Sequence, residues 1–269
     1  VKYNMRGNKL YNTLSKELDV PISKVGQYVL FTSPWQKLVY PFVVARARKN
    51  DIPIRYVKQK ELDAKVPGLK FRHGGMFFAG AGIVCPYLMT VALAECAVKN
   101  GAEVCLNTAV LDIEREGDRI VSVTTNRGRI YPKVVVNAAG IFSDVIAEKA
   151  GDRHFTIHPR KGVEAILDKK AAGITDSVLG RFALKTSTGK QHTKGGGIVR
   201  TIDGNILVGP NAIETPERED DSTTCESLNE VLHKQQGLTS ELKRSDIITY
   251  FAVTRAATYE EEFIVEKSP

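Results

Sequence analysis

Apolar residues at helical spacing open the chain: Leu10, Leu14 and Leu18 stand four apart in VKYNMRGNKLYNTLSKELDV, which puts them on one helix face. VGQYVLFTS then alternates as a half-buried strand does. Ser33 and Pro34 offer an N-cap and a first-turn proline for a second helix carrying Trp35, Leu38, Val39 and Phe42 on one face, with Pro41 expected to kink it. IRYVKQ reads as a strand, KELDAKVPG as a short helix closed at Pro67 and Gly68, and GGMFFAGAGIVC as a glycine-flanked strand. The strongest local pattern is a helix opened by Pro86 and ended at Asn100 and Gly101, followed by a long strand. Two more strands flank the turn at Asn126, Arg127 and Gly128, the second reaching the apolar run Val134, Val135 and Val136.

After Gly151 the texture changes. FTIHPRKGVEAILDK, SVLGRFALK, GGGIVRTIDGNILVGP, DIITYFAVTRAAT and EEFIVE read as strands of a largely antiparallel sheet, with one helix near TTCESLNEVLHKQQ and turns at Asp203-Gly204 and Gly237. IETPEREDDSTT reads as an exposed acidic loop. The pattern predicts an α+β, mixed α/β fold in which two domains interleave: residues 1–82 and 152–269 form one, and 83–151 form part of a nucleotide-binding α/β layer.

Composition narrows the function classes. The chain has 269 residues, 42% hydrophobic and 26% charged, enough for a sizeable core. Its apolar runs are shorter than a membrane span needs and it opens on no signal segment, so a soluble, cytoplasmic protein without an integral membrane segment is expected. Cys85, Cys96, Cys105 and Cys225 lack CxxC spacing and read as reduced core residues. His73, His154, His158, His192 and His233 lack metal spacing, and no metal site is expected. The formal charge of +7 is spread along the chain without aromatic interleaving, which argues against nucleic acid as a partner and leaves room for a small anionic ligand.

VVVNAAGIFSDVIAEKAG poses the main chemical question. Three small residues between an apolar run and a helix let a backbone approach a nucleotide, or they serve tight packing; the sequence alone leaves both open. Ser143 and Asp144 read as an N-cap and a first-turn acid. No GxGxxG fingerprint is present, and the glycines near Gly80 and Gly196 read as turns or bulges.

AGIVCPYLMTVALAECAVKNGAEV, VVVNAAGIFSDVIAEKAG, TIDGNILVGP and YFAVTRAATYEEEFIVE, in that order, resemble the FAD-dependent glycerol-3-phosphate dehydrogenase and L-2-hydroxyglutarate oxidase group of the D-amino-acid oxidase superfamily. The resemblance covers nearly the whole chain. It implies that 83–151 is part of an FAD-binding Rossmann-like domain and that the remainder is a substrate domain. Val110 matches a position at the adenine edge, and Ala138, Ala139 and Gly140 match the turn approaching the FAD ribose and pyrophosphate. Gly82, Ile83 and Val84 match a strand near the isoalloxazine ring. Arg255 matches the arginine that holds the substrate anion, unless it pairs with Glu260, Glu261 or Glu262; Lys161 and Lys194 are candidate second cations.

The family's glycine fingerprint and its His-Ala-Gly segment, with the histidine that serves as base, find no match here, nor does its glycine-rich closing segment. The chain therefore reads as a central fragment carrying no catalytic residue, expected not to retain FAD by itself and to self-associate through exposed apolar surface. The implied reaction is oxidation of glycerol-3-phosphate by hydride transfer to flavin, with an L-2-hydroxy acid as the alternative substrate and an unassigned electron acceptor. A noncatalytic binding module on the same scaffold is the reading from another class.

Overall fold

The computed structural model describes residues 2–183, 196–259 and 263–267. Its contacts divide the chain into two units: Val1–Ala102, Val163–Asn211 and Thr223–Phe251 make the first, and Glu103–Gly162, Ala212–Ser222 and Ala252–Pro269 make the second. The units interleave in sequence, with the Pro86–Lys99 helix grouped in the first.

The first unit is built on a mixed sheet in the order Ile54–Val57, Gly75–Phe78, Gln27–Leu30, Val178–Arg181, Gly197–Arg200, Ile206–Gly209 and the 163–167 part of His158–Leu167. Neighbours are antiparallel except Gln27–Leu30 and Val178–Arg181, which run parallel. Alternation along Gln27–Leu30 turns Tyr28 and Leu30 inward. They join Val57, Met76, Leu167, Leu179, Ile198 and Ile206 in a fully enclosed core. The Cys225–Gln236 helix presents Leu228, Val231, Leu232 and Gln235 to the interior, the i, i+3, i+4, i+7 stripe of a core-facing helix. Thr224 caps it by accepting from the Ser227 amide, while the Ser227 hydroxyl accepts from the Thr224 amide.

The second unit holds a three-stranded antiparallel sheet of Val110–Glu116, Arg119–Thr125 and Gly128–Ile130. The Ser143–Lys149 helix is tied to it by Lys149, whose Nζ donates to the Leu111 carbonyl at 2.6 Å, and by Arg115, whose Nη1 donates to the Ala150 carbonyl at 2.8 Å. Arg160 and Lys161 of the His158–Leu167 strand pair with Glu214 and Ile213.

Several expectations are corrected. The run Val134, Val135 and Val136 is not a strand: it pairs with no described strand, and Val134 and Val136 are 79% and 83% exposed. Phe263, Ile264 and Val265 are likewise irregular, and Glu260, Glu261 and Glu262 lie outside the described residues. The second helix begins as a 3-10 turn, Pro34–Val39, and Pro41 sits in the first turn of the following Tyr40–Arg48 helix, where its missing N–H costs nothing, so it starts that helix. Trp35, Leu38 and Phe42 are exposed, and Gln36 is the buried residue, with its Oε1 accepting from the Thr32 amide at 2.7 Å. Cys105 and Cys225 are exposed, and all four thiols are free. Among the described residues no helix is long and apolar enough to cross a membrane, and no cluster of His, Cys, Asp or Glu could hold a metal.

Leu179 has no exposed surface, so Leu179→Ala is expected to cost about 2–5 kcal/mol in a denaturant titration. Thr224→Ala, which loses only a cap, is expected to cost about 1 kcal/mol.

Candidate functional site

The site grows from the turn at Ala138, Ala139 and Gly140 in the second unit. Asn137 locks it: its Nδ2 donates to the Ser143 carbonyl at 2.8 Å and its Oδ1 accepts from the Ala139 amide at 3.3 Å. Gly140 has φ +57, and the chain continues as a 3-10 turn, Gly140–Phe142, into the Ser143–Lys149 helix. Ser143 is the first helical residue, one past the expected cap position, and its hydroxyl donates back to the Gly140 carbonyl at 2.8 Å. A Cβ built on Gly140 meets nothing within 4 Å, and Ala138, Ala139 and Gly140 are all exposed. Tight packing among the described residues therefore does not explain the small side chains.

Asp144 is far more than a first-turn acid. It has no exposed surface. Its Oδ1 accepts from the Val145 amide at 3.0 Å and from Arg218 Nη1 at 2.9 Å, and its Oδ2 accepts from the Ile157 amide and Arg218 Nη2, both at 3.0 Å. Burial pushes its pKa upward, but the Arg218 guanidinium and the two amides outweigh that and hold the carboxyl below its usual range. Arg218 Nη1 also donates to the Ile141 carbonyl. The loop expected to be exposed and merely acidic is thus anchored through its one basic residue.

The same loop makes a second buried contact. Lys161 is only 8% exposed, and its Nζ donates to Asp220 Oδ2 at 2.6 Å and to the Ser222 hydroxyl at 3.1 Å. Hydrogen bonds from Lys161 and Ser222 lower the Asp220 pKa to about 2. Arg255 is half-buried; its Nε donates to the Arg160 carbonyl at 3.3 Å and its Nη2 to the Lys161 carbonyl at 3.4 Å. One residue earlier, the Thr254 hydroxyl donates to the carbonyl of Arg218.

The structure therefore links the 138–140 turn to Arg255 through Arg218 and Thr254. Val110 lies half-buried at the start of the strand whose Leu111 carbonyl receives Lys149. Gly82 and Ile83 belong to the first unit, where Ile83 pairs with Ser23 and a Cβ on Gly82 would stand 3.1 Å from the Ser23 carbonyl oxygen. Lys194 lies outside the described residues. Sequence reasoning passed over Arg218 and Asp220; the available signal was a single arginine within an otherwise acidic segment.

The model of the family described as FAD dependent oxidoreductase matches residues 1–269. Glycerol 3-phosphate dehydrogenase of Caloramator mitchellensis is 32% identical over 271 residues, covering 99% of this chain and 55% of that protein. L-2-hydroxyglutarate dehydrogenase of Escherichia coli O17:K52:H18 is 22% identical over 219 residues, covering 81% of this chain and 51% of that protein. The chain thus spans about half the length of these curated relatives. Among solved structures, dithionite-reduced L-α-glycerophosphate oxidase from Mycoplasma pneumoniae with FAD bound aligns with a TM-score of 0.83 and 22% identity, over 99% of this chain and 71% of that one. This likeness establishes the mixed α/β fold.

Because the folded pKa of Asp144 is depressed, its stabilising effect is present above the unfolded carboxyl pKa of about 3.9 and fades as pH falls through the lower folded value. Asp144→Asn leaves Arg218 without its carboxylate and is expected to cost about 3–5 kcal/mol at pH 7. In denaturation curves, the gap between wild type and variant should narrow steadily below about pH 4.

Proposed function

The chain belongs to the FAD dependent oxidoreductase family, and from that premise we propose that it is the central part of an enzyme that oxidises glycerol-3-phosphate to dihydroxyacetone phosphate. The observation carrying this reading is the 138–140 turn: exposed, free of packing among the described residues, and held rigid by Asn137, Ser143 and the Asp144–Arg218 pair. An open, preorganised backbone turn suits the ribose and pyrophosphate side of FAD, which when bound supplies a hydride acceptor. In this reading Val110 lies along the adenine edge, and Gly82 and Ile83 belong beside the isoalloxazine ring. Residues 83–151 form the FAD-binding portion, and 1–82 with 152–269 form the substrate portion. A cytoplasmic location fits a small water-soluble substrate.

Arg255 fixes the anionic end of that substrate. Its Nε and one Nη rest on the Arg160 and Lys161 carbonyls, which orient the planar fork. Lys161 holds Asp220, so Lys161 is not the anion's partner in this proposal. The 32% identical relative named glycerol 3-phosphate dehydrogenase favours a phosphate over a carboxylate substrate. The L-2-hydroxy acid reading rests on the 22% identical relative.

Purified complete protein containing this chain should show bound oxidised flavin in its visible spectrum and turn over glycerol-3-phosphate in preference to L-2-hydroxyglutarate. A colourless protein refutes the proposal, and the reverse preference selects the hydroxy acid. Arg255→Ala should raise KM at the cost of about 2–4 kcal/mol of lost binding while flavin content holds, and Arg255→Lys should recover only part. Gly140→Asn keeps a residue type that tolerates positive φ but adds a side chain, so a folded variant with weakened flavin retention is expected. Stoichiometric flavin in that variant would remove the turn from the cofactor site.

A further inference from the structure

Arg218 lies within an acidic loop, yet it joins both halves of the candidate site. Its guanidinium holds the start of the Ser143–Lys149 helix through both oxygens of Asp144, and it also holds the Ile141 carbonyl, one residue past Gly140. Its own backbone carbonyl receives the Thr254 hydroxyl. Thr254 precedes Arg255, whose guanidinium rests on the Arg160 and Lys161 carbonyls. Lys161 in turn grips Asp220, two residues beyond Arg218. These contacts form a closed circuit from turn to loop, to the Arg255 strand, to the His158–Leu167 strand, and back to the loop.

We propose that Arg218 is a positioning residue that couples the turn at Gly140 to Arg255: its guanidinium holds the turn side, and the loop it anchors places the backbone carbonyl that receives Thr254, beside Arg255. This rests on the reading of the turn and of Arg255 given above. A guanidinium suits the role because its fork fixes both carboxylate oxygens and leaves a donor direction for a backbone carbonyl, which an ammonium point charge does not reproduce. Low-dielectric surroundings stiffen such a network, since each buried group depends on its neighbours for hydrogen bonds.

The test uses the complete protein with Thr254→Val, Arg218→Gln, Arg218→Lys and one double variant, compared with Gly140→Asn. Thr254→Val removes only the hydroxyl link and keeps side-chain shape and the Asp144 pair. It should raise KM for glycerol-3-phosphate about threefold to tenfold, leave kcat within about twofold and leave flavin retention unchanged. Arg218→Gln should both loosen flavin and raise KM, and Arg218→Lys should restore folding stability and part of flavin retention while KM stays raised. In the double variant Arg218→Gln with Thr254→Val, the KM effects should fall short of multiplying, because both changes break one circuit. Variants that lower Tm with KM and flavin retention unmoved, or effects that multiply fully, overturn the proposal. If Gly140→Asn keeps stoichiometric flavin, the reading of the turn fails. If Gly140→Asn loses flavin while Arg218→Gln retains it with unaltered KM, the coupling alone fails.

Discussion

A carboxylate without exposed surface must have its charge offset where it stands, and Asp144 imposes that constraint on the second unit. Removing an ion from water costs several kcal/mol even after relaxation, and the cost is recovered only when partners surround it with good geometry. Two backbone amides and a two-pronged guanidinium meet this requirement. Each donor comes from a different part of the chain: the helix itself, the entry to the His158–Leu167 strand, and the acidic loop. Satisfying one side chain therefore fixes three backbones relative to one another, and the 138–140 turn takes its orientation from the helix that Asp144 anchors.

The other physical theme is apolar surface that the described residues leave open. The Pro86–Lys99 helix buries only Met89 among its side chains, while Tyr87 and Val98 are 73% and 52% exposed. In the Ile247–Ala257 strand, Ile248, Tyr250 and Val253 are also exposed. A fully buried side chain of this kind contributes roughly 1.5–3 kcal/mol relative to an exposed one. The hydrophobic content of these segments thus exceeds what the described residues use in packing. Local propensity and backbone pairing set the secondary structure there, and burial is a separate outcome.

That separation explains what the sequence made legible. Periodicity and end signals located the Pro86–Lys99 helix, the Cys225–Gln236 helix and most strands, because those signals act within a few residues. The run Val134, Val135 and Val136 misled for the same reason: apolar, β-branched residues announce strand preference, but a strand needs a partner, and no described segment provides one. Arg218 and Asp144 lie 74 residues apart, so no local pattern connects them. Small residues marked the turn in the sequence, and that nothing packs on Gly140 among the described residues sets tight packing aside as their cause. Gly82 carries the opposite lesson: the neighbouring Ser23 carbonyl is enough to account for its missing side chain.

The charge pattern of the acidic loop has a consequence for register. Glu217, Glu219, Asp220 and Asp221 surround Arg218, so the segment carries one positive group among negatives. In the observed register Arg218 meets Asp144 and Asp220 meets Lys161. A slip of one residue either way would bring Glu217 or Glu219 against a buried carboxylate, where like charges in a low dielectric cost far more than at the surface. The correct alignment is favoured as much by what the neighbours forbid as by what Arg218 forms. Two ion pairs spaced two residues apart hold the segment at both points, which a single apolar contact, tolerant of sliding, would not do. Specifying register is where a buried pair has its clearest value, since its net stability is small once desolvation is counted. The hydrogen bonds that tie the segments carrying Arg255 and Gly140 to this loop therefore descend from an electrostatic choice made in a loop whose composition reads as solvent-facing.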